Sequence, residues 1–391
     1  MRTKKRAYLI THPWLSFQLD LDQMVPGIWM LLAEAQSKCV QLSGVPLIPK
    51  AAKKLSNRYL VEGIYSSATR EGNTLSAEEV RERIENNLEL PPSREYLGTE
   101  IDNLVKTNNL VEFQTRIGKC MDLNPEKIRD LNLLVLTGVI HQPVVVPGET
   151  RNNSVLVGNF KAVPAKYCDD LLQRLCNWLH NDIQEVAGYS MAFCVLRAIL
   201  AHFYLAWIQP FGEGNRRTIS LVESQIMLSG GLPTIASHLL TIHFQRTESI
   251  YLRKLGALTR SGDKLIPFIE YAVQGFVDGL TEQIEIIRAE QLNIHWLSSI
   301  QDSFRSDFRE TDRRRKQLLI ELSSKEDPIP LADVRYITPG VSKLYDGRNE
   351  RTFRRDIAWL KNMDLLKECK DGFSANREMV IAFLPPKLHA Q

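Results

Sequence analysis

Along most of the chain apolar residues recur every three or four positions, while strict alternation is scarce, so the pattern predicts a mainly α fold without internal repeats or low-complexity runs. Residues 50–71 follow Pro49 and carry Leu55, Tyr59, Leu60 and Ile64 on one face, with Gly72-Asn73 as a left-handed stop. Ser76 followed by Glu79 is a capping box that starts the next helix. Helical spacing continues over 96–122 and 126–140, breaks at Val144–Gly148, and resumes over 165–185, 188–207, 216–229 and 263–290. The 188–207 helix is apolar all round and is expected to be the buried centre. Ser154–Gly158 is the best β segment of the first 300 residues, so Val144–Gly158 is expected to form a short hairpin flap.

The last part of the chain is patterned differently. Short helices are expected at Lys316–Ser323, Leu331–Tyr336 and Arg351–Met363, the last with Phe353, Ile357, Leu360 and Met363 on one stripe. Leu366–Cys369 and Met379–Leu384 can pair around Asp371-Gly372. Three helices and a hairpin make a winged helix-turn-helix plan. The expected division is 1–95, a helical segment; 96–290, a core; 291–312, a helical connector; and 313–391, the winged unit.

Composition narrows the classes. The 391 residues are 44% hydrophobic and 24% charged with a formal charge of +3, an ordinary globular balance that excludes a nucleic-acid coat or a polybasic membrane binder. Residues 313–391 hold 16 basic and 11 acidic side chains, so the positive charge is concentrated there. The six cysteines include no CxxC pair, and Cys176 and Cys194 lie in apolar helical patterns, which points to reduced core thiols. Thr11–Trp14 interrupt any signal-like apolar run, and the apolar window Met191–Ile208 contains Arg197 and His202 and falls short of the ~20 residues of a membrane span. A cytoplasmic protein without a membrane partner is expected.

Candidate chemistry concentrates in Ile208-Gln-Pro-Phe-Gly-Glu-Gly-Asn-Arg-Arg-Thr218, between the central helix and the next. Gly212, Gly214 and Asn215 permit a tight turn, and a helix starting near Asn215 directs free N–H groups back into it, an arrangement that favours phosphate. Glu213 can hold Mg²⁺ shared with phosphates, and Arg216 and Arg217 add donors.

This string resembles the Fic (Fido) family motif His-x-Phe-x-Asp/Glu-Gly-Asn-Gly/Lys-Arg-x-x-Arg, with Gln209, Phe211, Glu213, Gly214, Asn215 and Arg217 aligned without a gap. Ser67-Ala-Thr-Arg-Glu71-Gly72 resembles the family's inhibitory motif, and Pro147–Arg151 with Val155, Leu156, Val157 and Gly158 resembles its target-binding flap. The matches cover about residues 50–290. The resemblance implies a Fic/Fido helical core that moves AMP from ATP to a Ser, Thr or Tyr hydroxyl of a target protein. It assigns the phosphates to the turn amides and Asn215, Mg²⁺ to Glu213, a phosphate to Arg217 and a core position to Phe211. The flap would receive the target as an added strand.

Two positions depart from the motif. Gln209 stands where the catalytic His is expected; a carboxamide orients a hydroxyl but cannot take its proton, a loss of about 10²–10⁴-fold in rate. Ser220 stands where the second Arg would bind a phosphate and pair with the inhibitory Glu. Glu71 is therefore left with two readings, an ion pair with Arg216 or Arg217, or a helix-end carboxylate in solvent. His202 lies two helical turns, ~10 Å, before Gln209 and reads as a core histidine; His141, beside the flap in sequence, is the better substitute base.

In the C-terminal segment Arg351, Arg354 and Arg355 share a polar face opposite Phe353 and Ile357, diluted by Glu350 and Asp356, and can meet DNA or a protein. Three functions stay open: a weakened Mg-ATP-dependent adenylyltransferase, a nucleotide-sensing regulator that binds DNA or a protein through the winged helix, and a target-binding scaffold; a homodimer is compatible with each.

Overall fold

A computed structural model of the protein describes residues 8–118, 123–139, 142–157, 160–257, 265–304, 309–325 and 327–381. His141 and Gly158 lie outside the described residues. The fold is mainly α, with two small two-stranded sheets among the described residues. The chain forms two compact units, Met1–Ile284 and Glu285–Gln391.

The first unit is built round helix α8 (Ser190–Ile208), whose side chains from Ala192 to Ile208 are all buried except Arg197. It is long and apolar enough to cross a membrane, but 89% of its apolar window is covered by the rest of the fold, so a protein core is its solvent. Helices α2 (Pro26–Ser43), α7 (Cys168–Asn181) and α9 (Asn215–Ser229) pack on it. α5 (Glu95–Arg116) and α6 (Pro125–Leu136) lie against α9. α3 (Pro49–Arg70) packs on α9, on α5 and on α10 (Leu239–Arg246). Gly63 makes the α3–α10 approach possible, since a Cβ there would stand 2.7 Å from the His238 ring. α3 ends as its sequence dictates: Gly72 adopts φ +102°, the Gly72 and Asn73 N–H groups return to Thr69 and Ala68, and the Ser76–Glu79 capping box opens α4 (Ala77–Asn86). Cys39, Cys168, Cys176 and Cys194 are free, buried thiols; burial pushes Cys39 and Cys176 up to about 12 and Cys168 to about 11.

The flap differs from expectation. Strand β1 (Leu156–Val157) pairs antiparallel with β2 (Phe160–Lys161), not with Val144–Val146. Of those valines Val145 alone is buried, against Gly212, where a Cβ would come within 2.7 Å of it, while Val144 and Val146 are half exposed and the segment is held by turn hydrogen bonds.

α12 (Leu265–Ser303) begins in the first unit and contributes Trp296 and Ile300 to the core of the second, so 291–303 continues one helix. The second unit continues with α13 (Glu310–Ser323), α14 (Leu331–Val334), α15 (Pro339–Tyr345), α16 (Glu350–Asn362) and strands β3 (Leu366–Cys369) and β4 (Gly372–Ala375). β3 pairs with β4 directly across a two-residue loop; Met379 and Val380 instead lie in a 3₁₀ turn. Gly372 sets that register, because at φ +145° its backbone closes on Ile329, whose oxygen a Cβ would meet at 2.3 Å, while Phe373 exchanges both main-chain hydrogen bonds with Ile329. α15 has no counterpart in the expected pattern. Asp356 departs too: it is fully buried, accepting from Arg314 and Arg315 at 2.8 Å each and from the Tyr345 hydroxyl at 3.2 Å. It therefore dilutes none of the charge on the exposed face of Arg351, Arg354 and Arg355.

Candidate functional site

The site is the turn between α8 and α9. α8 stops because Gln209 turns left-handed, φ +45°, ψ +65°, and its N–H closes the last helical bond on Leu205. Buried Arg151 then collects the freed carbonyls: its Nε donates to Gln209 O at 2.6 Å and its Nη2 to Ile208 O at 3.2 Å, while its own N–H donates to Pro210 O. Asn215 locks the turn from the other side, accepting from Phe211 N–H at 3.0 Å and donating to Phe211 O at 2.8 Å, with the Phe211 ring buried. Gly214, at φ +74°, turns the chain into α9 where a side chain would meet Asn132. Asn132, fully buried on α6, donates to Glu213 O at 3.0 Å and accepts from Gly148 N–H at 3.0 Å, tying the motif to the segment before the flap. Arg151 and Asn132 carry much of this geometry. Sequence reasoning gave neither a role, although Arg151 lies in the quoted flap string; a buried asparagine on an ordinary helix leaves no sequence signal.

The start of α9 faces a carboxylate. Glu71, at the C-cap of α3, places Oε2 2.7 Å from Arg216 N and 3.4 Å from Arg217 N, accepting from both. This is neither of the two placements left open by the sequence: Glu71 pairs with main-chain N–H groups, not with a guanidinium, and it is not directed into solvent. The helix end that was expected to open onto a ligand is filled by an oxyanion of the chain itself. Arg217 is buried with Nη1 3.1 Å from Glu100, which also accepts from Asn73 at 2.9 Å. Arg216 directs Nη1 to the carbonyl of Arg70 and lies 3.5 Å from Glu248. Ser67 and Ser220 are hydrogen-bonded to each other at 2.8 Å, so the two α3 positions Ser67 and Glu71 both meet the first turns of α9. Gly72 only ends α3.

Gln209 is half-buried, and its Nε2 donates back to Ala206 O at 3.0 Å. It lines a cavity of about 60 Å³ with Arg70, Leu156, His202, Arg216 and Tyr251 among its walls. His202 is buried as expected, yet it belongs to this wall: it bonds Glu223 through Nδ1 and the Tyr251 hydroxyl through Nε2 at 3.0 Å. Burial depresses its pKa, against the opposing pull of Glu223. Glu213 is half-buried; Oε1 accepts from Gln142 N–H at 3.2 Å, and Oε2 has no partner among the described residues. No cluster of three or more His, Cys, Asp or Glu suited to a metal occurs among the described residues, so a cation here would have Glu213 as its protein ligand and depend on phosphate oxygens. In the flap Val155 O accepts from Ala162 N–H at 3.0 Å and Leu156 is 66% exposed, while among the described residues β1 pairs with β2 alone. Arg351, Arg354 and Arg355 lie far off in sequence, in the second unit, and are exposed on α16.

Comparison with known proteins gives these features a common context. The Fic/DOC family model matches residues 122–227. A protein adenylyltransferase fic-1 of Caenorhabditis briggsae is 25% identical over 232 residues, which are 59% of this chain and 44% of that protein. A protein adenylyltransferase Fic of Drosophila willistoni is 25% identical over 245 residues, 61% of this chain and 45% of that protein. The chain thus spans less than half the length of these relatives. Among solved structures, a Fic family protein from Desulfovibrio desulfuricans superposes with a TM-score of 0.54 at 19% identity, covering 89% of this chain and 93% of that one. A fragment of Fic-1 from C. elegans gives 0.53 at 20% identity over 67% and 73%. The central helix, the turn and all but the last two residues of the helix it opens fall within residues 122–227, which carry a Fic/DOC family domain.

Proposed function

We propose that the start of α9 holds the phosphates of ATP and that the chain is a protein adenylyltransferase, slowed by Gln209 and restrained by Glu71. One observation carries this reading: the Arg216 N–H binds a carboxylate oxygen at 2.7 Å, so the helix end is already shaped to grip an oxyanion. The same contact restrains it. A cavity of about 60 Å³ is far below the ~300 Å³ of a small ligand pocket, so ATP enters only when Glu71 swings out. In the transfer, the target hydroxyl oxygen attacks the α-phosphorus, the bond to pyrophosphate breaks, and the hydroxyl proton needs an acceptor. Gln209 supplies none. Glu213, with one oxygen uncommitted among the described residues, fits a cation shared with the phosphates, and Mg²⁺ held there would offset their negative charge. The exposed edge of β1 beside Gln209's cavity suits a target segment added as a strand. The buried, uncoupled thiols suit a reducing compartment.

Incubation with labelled ATP tests the reading on four proteins: wild type, Glu71→Ala, Gln209→His and the double variant. Label transfer should be lowest in the wild type and highest in the double variant, with Gln209→His adding about 10²–10⁴-fold in the Glu71→Ala background. A left-handed residue 209 tolerates His, one of the types enriched there. No transfer by the double variant, together with no ATP binding in calorimetry, defeats the proposal.

A second reading concerns Glu285–Gln391. Arg351, Arg354 and Arg355 line one exposed hollow with Asn349 and Thr352 at the start of α16. This suits a winged helix whose α16 contacts DNA phosphates, and its test is duplex binding across a salt series, where absence of binding at low salt removes that role.

A further inference from the structure

Arg70 is the last residue of α3, next to Glu71. It is 6% exposed, and its Nε and Nη2 N–H groups are buried without an acceptor. Among the described residues no carboxylate pairs with it. Glu71 is taken by the α9 amides, Glu248 lies by Arg216, and Glu223 is bound to His202 and to Thr241. The guanidinium stands 4.5 Å from the Tyr251 ring centre and 5.8 Å from that of Phe244. Arg70 also hydrogen-bonds the Tyr251 side chain, but aromatic faces accept no conventional hydrogen bond, so Nε and Nη2 stay unsatisfied. A buried cation with unspent donors is costly, and cations so placed are paired or bind a ligand. Arg70 is also a wall of the cavity that holds Gln209 and Arg216. Two cations and a carboxamide thus meet beside a helix start that already binds an oxyanion.

We propose that Arg70 is a phosphoryl ligand: it binds the terminal group of a polyphosphate whose inner phosphate replaces Glu71 on the Arg216 and Arg217 amides. The inference rests on the nucleotide reading above and extends it. The pocket selects di- and triphosphates over monophosphates because its second cation is spent on the outer group. Glu71 and Arg70, adjacent on one helix end, then have opposite tasks. One occupies the phosphate site without ligand; the other keeps its Nε and Nη2 donors unspent until ligand arrives.

The test uses the full chain as Glu71→Ala and as Glu71→Ala/Arg70→Met, titrated calorimetrically with AMP, ADP and ATP in Mg²⁺, and with pyrophosphate. Adding Arg70→Met should weaken ADP, ATP and pyrophosphate about 10–100-fold and leave AMP unchanged, with Arg70→Lys in between. Equal affinities for ADP and ATP with and without Arg70 overturn the assignment while leaving the nucleotide site intact. If Glu71→Ala binds none of the nucleotides, the nucleotide reading fails, and pyrophosphate alone decides whether Arg70 is an anion ligand. Melting without ligand separates a packing role: a buried cation with two unspent donors predicts that Arg70→Met melts no lower than its parent, and a marked drop overturns the proposal.

Discussion

At the scale of single residues, the motif is held by side chains that finish main-chain hydrogen bonds. Asn215 satisfies both the N–H and the C=O of Phe211 while 5% exposed. Asn215→Ala therefore strands two buried backbone groups and should cost about 2–4 kcal/mol in urea unfolding, well above a surface substitution. A loss under 1 kcal/mol would show that water can replace the amide. Glu71 and Gln209 also bond main-chain groups, the α9 amides and Ala206 O, but each is only half-buried and sits at a helix end. The sequence exposes this distinction poorly. Asn215 was assigned to phosphates by resemblance, and the structure shows its amide already committed to Phe211.

At the scale of elements, α3 decides whether the site is closed, because it carries Ser67, Arg70 and Glu71 to α9. Its position depends on Gly63 meeting His238, the residue that starts α10. Burial lowers the His238 pKa from 6.5 to about 4. The sign follows: above pH 6.5 the ring is neutral folded or unfolded, and as pH falls toward 4 only the unfolded chain takes the proton, so stability is lost on acidification. Between pH 7.5 and 5 this group should remove about 2 kcal/mol of unfolding free energy. His202, also held down by burial, acts in the same direction. Urea melts of wild type and His238→Gln at the two pH values check this; an unchanged slope in the variant would clear His238 of responsibility. Periodicity showed α3 and its stop, but not that this stop lands on the start of α9, 145 residues later.

At the scale of the whole molecule, the chain divides into two compact units. The second is organised round a buried charge cluster, Asp356 with Arg314, Arg315 and Tyr345. Asp356→Ala leaves two arginines without their carboxylate and should cost about 3–5 kcal/mol. Hydrogen exchange should rise across 310–375 and stay unchanged across 190–229; equal changes in both would mean the units unfold together. On a helical wheel Asp356 looks like one more polar surface residue, and only the packing of α13 against α16 turns it inward.

The sequence by itself determined the helical class, the central apolar helix, the stop of α3, and the glycine- and asparagine-bearing turn with its Fic-like order, since periodicity, capping and φ preferences are local properties. Only the tertiary structure decided which partner each polar group met. Glu71 took main-chain amides instead of a guanidinium, Arg70 was buried with two donor atoms lacking an acceptor, Val145 went to Gly212 instead of a strand, and Asp356 went inward. Those outcomes depend on distances between residues remote in the chain, and no local pattern encodes them.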